Sequence, residues 1–204
     1  MKKIIPLLSL LAFQFCAVKP EIEVKLKEYY TTDNQHGKNF ICYYKDVNNY
    51  FTPFIGTWTY IDGDKTFVVK LLKETKVPYL SKKPKMYRDE INGHYKMIQN
   101  YRQPNETVLY TSQINIGTSI TPWQTVILAS AINNNIMSGV IFDVVGVLNT
   151  SYPTGVRGQL VMTINDFTNP LTAHWKVTLP MGMRGTDEPT TFTIPTDIIL
   201  TKVN

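Results

Sequence analysis

Short runs of β-forming residues, separated by polar turns, recur along most of this 204-residue sequence. The clearest pair, residues 57–61 and 66–72, flanks Asp62-Gly63-Asp64, a turn whose glycine tolerates a positive φ. Beyond residue 16, no stretch shows the 3.6-residue apolar period of an amphipathic helix. The pattern therefore predicts an all-β protein in which consecutive strands pair as antiparallel hairpins.

Further β-type runs follow at spacings of about 10 to 20 residues. Asn92-Gly93 lies inside the run 86–98, where we expect one long strand that bends at the glycine rather than a tight turn. Asn133-Asn134-Asn135 separates two runs as a hairpin turn would. The runs after residue 100 are 107–112, 125–132, 137–147, 156–164, 173–179, 190–194 and 197–203. Of these, 125–132 is short and apolar enough to fit either a strand or a helix.

Serial hairpins of this kind fit either a closed barrel or a two-sheet sandwich. We favour the barrel because closure removes the exposed strand edges that promote aggregation. The predicted fold is an antiparallel meander that closes into a small β-barrel of roughly eight to ten strands.

The N-terminus has the pattern of an export signal. Lys2 and Lys3 precede an apolar run at 4–15, which is too short to cross a bilayer core of about 30 Å as a helix but suits a signal-peptide core. We expect residues 1–16 to be a signal peptide whose cleavage point stays open, 17–49 an N-terminal arm, and 50–204 the barrel domain. The predicted location is outside the cytoplasm, in the periplasm, at the cell surface or in the medium.

The sequence has two cysteines, Cys16 and Cys42. Cys16 follows the apolar run directly, so a lipid on this cysteine is an alternative that would attach the chain to a membrane. It is the less favoured alternative, because the preceding residue, Phe15, is larger than a lipoprotein signal requires. Once Cys16 is removed or acylated no intrachain disulfide can form, and we expect Cys42 to be a small core residue.

The charge distribution argues against a nucleic-acid partner. The formal net charge is +5, and it is spread along the chain. The longest basic stretch, residues 82–88, is interrupted by Pro84, whereas a nucleic-acid binder concentrates its positive charge on one face.

No constellation of residues indicates catalysis. Asp89 and Glu90 are adjacent, so on a strand they point to opposite faces and cannot act together as acid and base. Asp62 and Asp64 flank a turn, but the rest of a calcium loop is missing. None of the histidines forms a metal-ligand pair in the sequence; they are His36, His94 and His174. We predict no enzyme activity, no catalytic residue, no metal and no cofactor.

Binding is therefore the predicted activity. A small barrel either holds one apolar ligand or fills its lumen with side chains. We predict a small apolar ligand; the alternative is a structural or protein-interaction module of the cell envelope without a ligand. The oligomeric state stays open. The candidate lumen residues are aromatic: Trp58, Tyr60, Phe67, Tyr95, Tyr110, Phe142, Trp175 and Phe192.

Three groups of residues carry a family resemblance. Phe54-Ile55-Gly56-Thr57-Trp58 opens the first barrel strand, Tyr-Arg-Asp-Glu-Ile-Asn-Gly-His-Tyr follows at 87–95, and Phe192-Thr193-Ile194-Pro195 and Ile199-Leu200-Thr201-Lys202 end the chain. Together they resemble a domain-of-unknown-function family of small secreted proteins from flavobacteria and their relatives. This resemblance implies export and an all-β fold and assigns no catalytic residue.

Gly56-Thr57-Trp58 also resembles the Gly-x-Trp element of lipocalins, in which the tryptophan packs across the closed end of the barrel. At this position the glycine would allow close backbone approach, and the tryptophan would present a large apolar surface. The resemblance implies a lipocalin-like barrel in the broad sense.

Overall fold

A computed structural model describes residues 20–31, 40–79, 86–113, 125–145, 155–182, 185 and 187–203. The predicted signal peptide, with Cys16, lies outside these residues. Within them the chain is almost entirely β-structure, as predicted. The elements are β1 Glu21–Lys25, α1 Leu26–Thr31, β2 Ile41–Lys45, β3 Gly56–Asp62, β4 Lys65–Tyr79, β5 Met86–Gln99, β6 Thr107–Thr111, β7 Ile127–Ala131, β8 Ile136–Asp143, β9 Val156–Asn165, β10 Thr172–Thr178 and β11 Asp197–Val203.

Eight of these strands form a closed ring, in the order β3-β4-β5-β7-β8-β9-β10-β11, and β11 pairs back onto β3. Every pair in the ring is antiparallel. The predicted antiparallel barrel is therefore confirmed. We call the end at which β3 begins the lower end and the end at which it finishes the upper end.

Three strands lie outside the ring: β1 pairs with β2, and β2 and β6 pair along the second edge of β5, on either side of the ring strand β7. β2 pairs with Tyr87 and Arg88, β7 with residues 91–93, and β6 with residues 96–99. The β2–β5 and β1–β2 pairs are parallel, which the serial-hairpin pattern did not predict. One long strand thus joins the barrel to the strands that precede it in the sequence.

Gly93 lies within the continuous strand β5, which confirms the prediction of one long strand. A Cβ at this position would lie 2.6 Å from the carbonyl oxygen of Lys70 on β4. The glycine is therefore required for the close approach of the two backbones. Segment 125–132 contains a strand, β7, whereas 190–194 contains none and runs irregularly to β11.

The barrel interior follows the two-residue period of its strands. On β4 the alternate residues Phe67, Val69 and Leu71 are fully buried, while Lys70 between them is exposed. The inward side chains of the other ring strands join the same core, including Ile127, Met137, Ile141, Leu160, Met162, Trp175 and Leu200. Burial of each large apolar side chain contributes about 1.5–3 kcal/mol, so this interior is a main source of stability.

Candidate functional site

The candidate lumen residues lie in or against one packed core. Trp58, Phe67, Tyr95 and Trp175 are at most 1% exposed. The ring of Phe67 lies 5.9 Å from that of Tyr95 and 6.2 Å from that of Trp175, centroid to centroid. The other four are partly buried and pack against this core: Tyr60, Tyr110, Phe142 and Phe192. Trp58, Phe67, Tyr95 and Trp175 thus lie in the interior. Phe142 alternates with the inward Ile141 on β8, and Tyr110 lies on β6, outside the ring.

The lower end of the barrel is closed by the chain between β2 and β3. Phe51 and Phe54 on this segment are fully buried. The indole N–H of Trp58 donates to the carbonyl oxygen of Phe54 at 2.8 Å. Lys202 Nζ lies 5.4 Å from the Trp58 ring centroid and donates to the carbonyl oxygen of Pro53 at 2.7 Å. Burial lowers the pKa of the Lys202 ammonium below its ordinary value.

Gly56 at the start of β3 allows this arrangement. Its φ of 128° is one that other residues rarely adopt, and a Cβ there would lie 3.3 Å from Cε of Lys202. The glycine, the tryptophan and the lysine thus form one packed unit across the lower end.

A buried aspartate, Asp46, holds the same closing segment. Its carboxylate accepts the backbone N–H groups of Tyr50 at 2.8 Å and Phe51 at 3.3 Å. Lys73 on β4 completes the site, with Nζ 2.9 Å from Asp46 Oδ2. Because the side chain of Asp46 is only 1% exposed, its charge depends on these partners.

A second buried aspartate, Asp89, ties β2 to the barrel. It accepts the hydroxyl of Tyr43 at 2.6 Å and the backbone N–H groups of Asp46 at 3.0 Å and Lys76 at 3.1 Å. Lys73 Nζ lies 3.9 Å away. Burial and the neighbouring Asp89 carboxylate raise the pKa of the Tyr43 hydroxyl above its ordinary value.

The upper end is closed by the segment before β11. The carboxylate of Asp143, at the end of β8, accepts the backbone N–H groups of Thr193 and Ile194, the latter at 3.2 Å. The indole N–H of Trp175 donates to the carbonyl oxygen of Pro195 at 3.1 Å. Ile194 is buried by this closure.

Asp143 also accepts the hydroxyl of Tyr95 at 3.0 Å, and this hydroxyl in turn accepts the backbone N–H of Val144. Burial, together with the Asp143 carboxylate, raises the pKa of Tyr95 above its ordinary value and that of Tyr110 to about 12. Both ends of the barrel are therefore closed by buried polar groups that have their hydrogen-bond partners.

A groove of about 470 Å³ runs across the outer face of β7, β8 and β9. Its lining includes Ser130, Ser138, Arg157 and Gln159, with Arg88 of β5 at one side. A smaller groove of about 210 Å³ is lined by Ile132 and Ile136 and by the same two serines. Nothing in the sequence marks this surface, because its residues are ordinary outward positions of four different strands.

His36 lies outside the described residues, and the other two histidines belong to separate hydrogen-bonded pairs. His94 Nδ1 lies 3.1 Å from Ser112 Oγ, but Ser112 is fully buried, so substrate cannot reach this hydroxyl. His174 Nε2 lies 2.6 Å from Asp197 Oδ1 on the surface, and this hydrogen bond lowers the pKa of Asp197. Among the described residues, no three His, Cys, Asp or Glu side chains are grouped to hold a metal ion. Cys42 is buried and free, as expected.

Among the described residues, α1 is six residues long, and no helix there has the length and apolar character needed to cross a membrane. No curated protein and no solved structure matches the sequence. A family described as "Family of unknown function (DUF6705)" matches residues 1–203, so the chain belongs to that family.

Proposed function

We propose that this protein is an exported, non-catalytic binding module whose barrel is a solid scaffold and whose outer face makes the contacts. The observation that carries this proposal is the packed interior. Trp58, Phe67, Tyr95 and Trp175 occupy the space in which a carrier holds its ligand, and both barrel ends are closed. A carrier needs an apolar cavity of about 300 Å³ or more.

The small apolar ligand in the lumen stays a prediction, and the packing gives it less support than the alternative. For such a ligand to enter, several fully buried side chains would have to move out of a close-packed core. The grooves described above instead lie on outward-facing residues of the sheet. The interaction module is therefore the function we favour.

A ligand titration separates the two functions. Palmitic acid and naphthalene are added to the purified protein, and binding is followed by native mass spectrometry and by tryptophan fluorescence. We expect no saturable binding to the wild-type protein. Phe67→Ala is the matched control, because it should open a cavity in the interior and bind naphthalene. Saturable binding by the wild type, with quenched tryptophan emission, would instead establish the carrier.

The absence of catalysis is supported by how the buried carboxylates are used. Asp46, Asp89 and Asp143 each accept backbone N–H groups, and Asp89 and Asp143 also accept the hydroxyls of Tyr43 and Tyr95. Their hydrogen-bonding capacity serves the fold, and none of them faces the outer groove. A general base needs a free lone pair within reach of a substrate proton.

Export is proposed from the N-terminal sequence, with a lipid on Cys16 as the alternative. The test is the mass of the protein recovered from outside the cytoplasm of its host. We expect cleavage near residue 16, and an added acyl mass on Cys16 would identify the lipid-anchored form. Replacing Leu8 and Leu11 with aspartate interrupts the apolar run and should leave an uncleaved precursor in the cytoplasm. An uncleaved wild-type chain in the cytoplasm would disprove export.

A further inference from the structure

The two outer grooves adjoin, because Ser130 and Ser138 line both, and we call them together the trough. Arg157 lies opposite Phe142 in the β8–β9 register, and Ile136 lies at the other end of β8. The trough therefore follows β8 over the seven residues 136–142, whose six steps span about 20 Å at the usual rise of a strand. This length is that of an extended segment of about six residues.

One end of the trough carries a free positive charge. Arg157 is exposed, and it makes no hydrogen bond or ion pair with any residue that the structure describes. Arg88, at the side of the same groove, differs because its Nε lies 2.6 Å from Glu90 Oε1. The guanidinium of Arg157 is thus the group available to a carboxylate, which it can bind with two parallel hydrogen bonds.

The other end of the trough is apolar. Ile132 and Ile136 flank the β7–β8 turn and are both exposed, at 41% and 44% of their full area. Two exposed isoleucines beside a groove favour contact with an apolar side chain of a partner.

The middle of the trough contains polar atoms that need hydrogen bonds. Ser130 Oγ is buried and has no hydrogen-bond partner among the residues that the structure describes. The same holds for Oδ1 of Asn92, whose backbone pairs with that of Leu128 in the groove wall. Rotation of the Ser130 side chain to another staggered rotamer would turn its hydroxyl toward the groove. An alkyl chain offers this hydroxyl no hydrogen-bonding group, whereas a peptide backbone offers both N–H and C=O groups.

We propose that this trough binds an extended polypeptide segment with a carboxylate at one end, over Arg157, and an apolar side chain at the other, between Ile132 and Ile136. The inference rests on the proposed outer-face binding function and names its partner. The carboxylate is that of an acidic side chain in the partner segment, and a C-terminal carboxylate is the other outcome that the test distinguishes.

Selection from random hexapeptides on phage tests the proposal. One library has its peptide ends blocked by fusion, and the other displays a free C-terminus, which distinguishes the two sources of the carboxylate. We expect enrichment of peptides with an acidic group at one end and Leu, Ile or Val at the other. A fluorescein-labelled copy of the most enriched peptide is then titrated by fluorescence anisotropy.

Three variants locate the site. Arg157→Glu should weaken binding by about tenfold or more, and Arg157→Lys should restore part of it, because lysine keeps the charge but not the paired geometry. Ser130→Ala should weaken binding about threefold without lowering thermal stability, since it removes an unsatisfied buried hydroxyl. Arg102→Glu, at another exposed arginine, should bind like the wild type.

Equal binding by the wild type and Arg157→Glu would overturn this site while leaving binding at another outer surface intact. No enrichment from either library would overturn the peptide as partner. Failure of the proposed function itself would show separately, as saturable palmitic acid or naphthalene binding in the interior.

Discussion

The lower and upper ends of the barrel are closed by the same kinds of side chain. They differ in how far along the sequence each aspartate lies from the segment that it holds. At each end a buried tryptophan donates its indole N–H to a carbonyl of the closing segment, and a buried aspartate accepts N–H groups of that segment. At the lower end Asp46 holds residues only four and five positions later. At the upper end Asp143 holds Thr193, 50 positions later.

This difference concerns both entropy and charge. The contacts of Asp46 close a short loop, so they can form before the ring is complete, whereas those of Asp143 require β9 and β10 to be in place. Asp46 is also neutralised by Lys73 at 2.9 Å. Within the described residues, no basic group lies within 4.0 Å of the Asp143 carboxylate, so N–H and O–H dipoles alone stabilise its charge.

The largest expected effect is the loss of either tryptophan. Trp58→Ala and Trp175→Ala should each lower the free energy of unfolding by about 3–5 kcal/mol, through lost burial and the cavity that remains. Urea denaturation followed by circular dichroism measures both. Trp58→Phe and Trp175→Phe are the controls, since they keep most of the apolar volume. A loss under about 1 kcal/mol for one alanine variant would show that its end is not packed as described.

Substitution of the two aspartates should show a larger difference in stability between the two ends than substitution of the tryptophans. Asp143→Asn leaves an amide facing several N–H donors and should lower the free energy of unfolding by about 3 kcal/mol. Asp46→Asn should lower it by about 1–2 kcal/mol, because the turn is also held by Trp58 and Lys202.

Added salt provides the control for this pair of variants. Lys73 is partly exposed, so the ion pair with Asp46 is screened and the effect of Asp46→Asn should shrink in 1 M NaCl. The effect of Asp143→Asn should stay the same, since its partners are buried dipoles. Equal salt responses at the two ends would contradict the distinction drawn between them.

The sequence predicted the strands and turns, because these depend on residues that are neighbours along the chain. Alternation and turn residues located the ring strands, and the long strand β5 and the turn at Gly63 were found in this way. The sequence also drew attention to Gly56 and Trp58, which lie at the lower end, where Lys202 Nζ is 5.4 Å from the Trp58 ring centroid. These features are local, so a single sequence contains the information that specifies them.

The closure of the upper end and the outer trough could not be predicted, because their residues are far apart in the sequence. Asp143 ends an apolar run, and a charge in such a run is a sign of a buried polar group, but nothing nearby identified Thr193 and Ile194 as its partners. Residues 190–194 have β-forming composition, yet the N–H groups of Thr193 and Ile194 bond to this carboxylate instead of to a neighbouring strand. The outer trough was missed for the same reason, since its residues come together only when the barrel closes.

The stability of the fold at alkaline pH should depend on one buried tyrosine at each end of the barrel. The pKa values of Tyr43 at the lower end and Tyr95 at the upper end are both raised above the ordinary 10.0, so above pH 10 the unfolded chain loses protons that the folded chain keeps. The contribution of the two tyrosines to the free energy of unfolding is therefore complete below pH 10 and falls as the pH rises further. We expect a steep loss of stability above pH 10, measured by urea denaturation between pH 8 and 11.

Tyr95→Phe should flatten this loss, and it should also lower stability at pH 7 by about 1–2 kcal/mol, because Asp143 and Val144 both lose a partner. Tyr43→Phe should have a smaller effect at pH 7, since Asp89 retains two backbone N–H donors. A variant that keeps the wild-type slope above pH 10 would show that its tyrosine does not control the alkaline transition.

Lys202→Met should have the smallest effect, because methionine keeps the apolar contact with Trp58 while losing the hydrogen bond to Pro53. We expect a change of about 1 kcal/mol or less at pH 7. Burial lowers the pKa of Lys202 below 10.5, so in the wild type this lysine makes stability rise as the pH increases from its folded-state pKa toward 10.5. The stability of the variant relative to the wild type should therefore fall between pH 7 and pH 10. A constant difference across this range would mean that the lysine charge at the lower end is as well hydrated as in the unfolded chain, and the closure there would be looser than at the upper end.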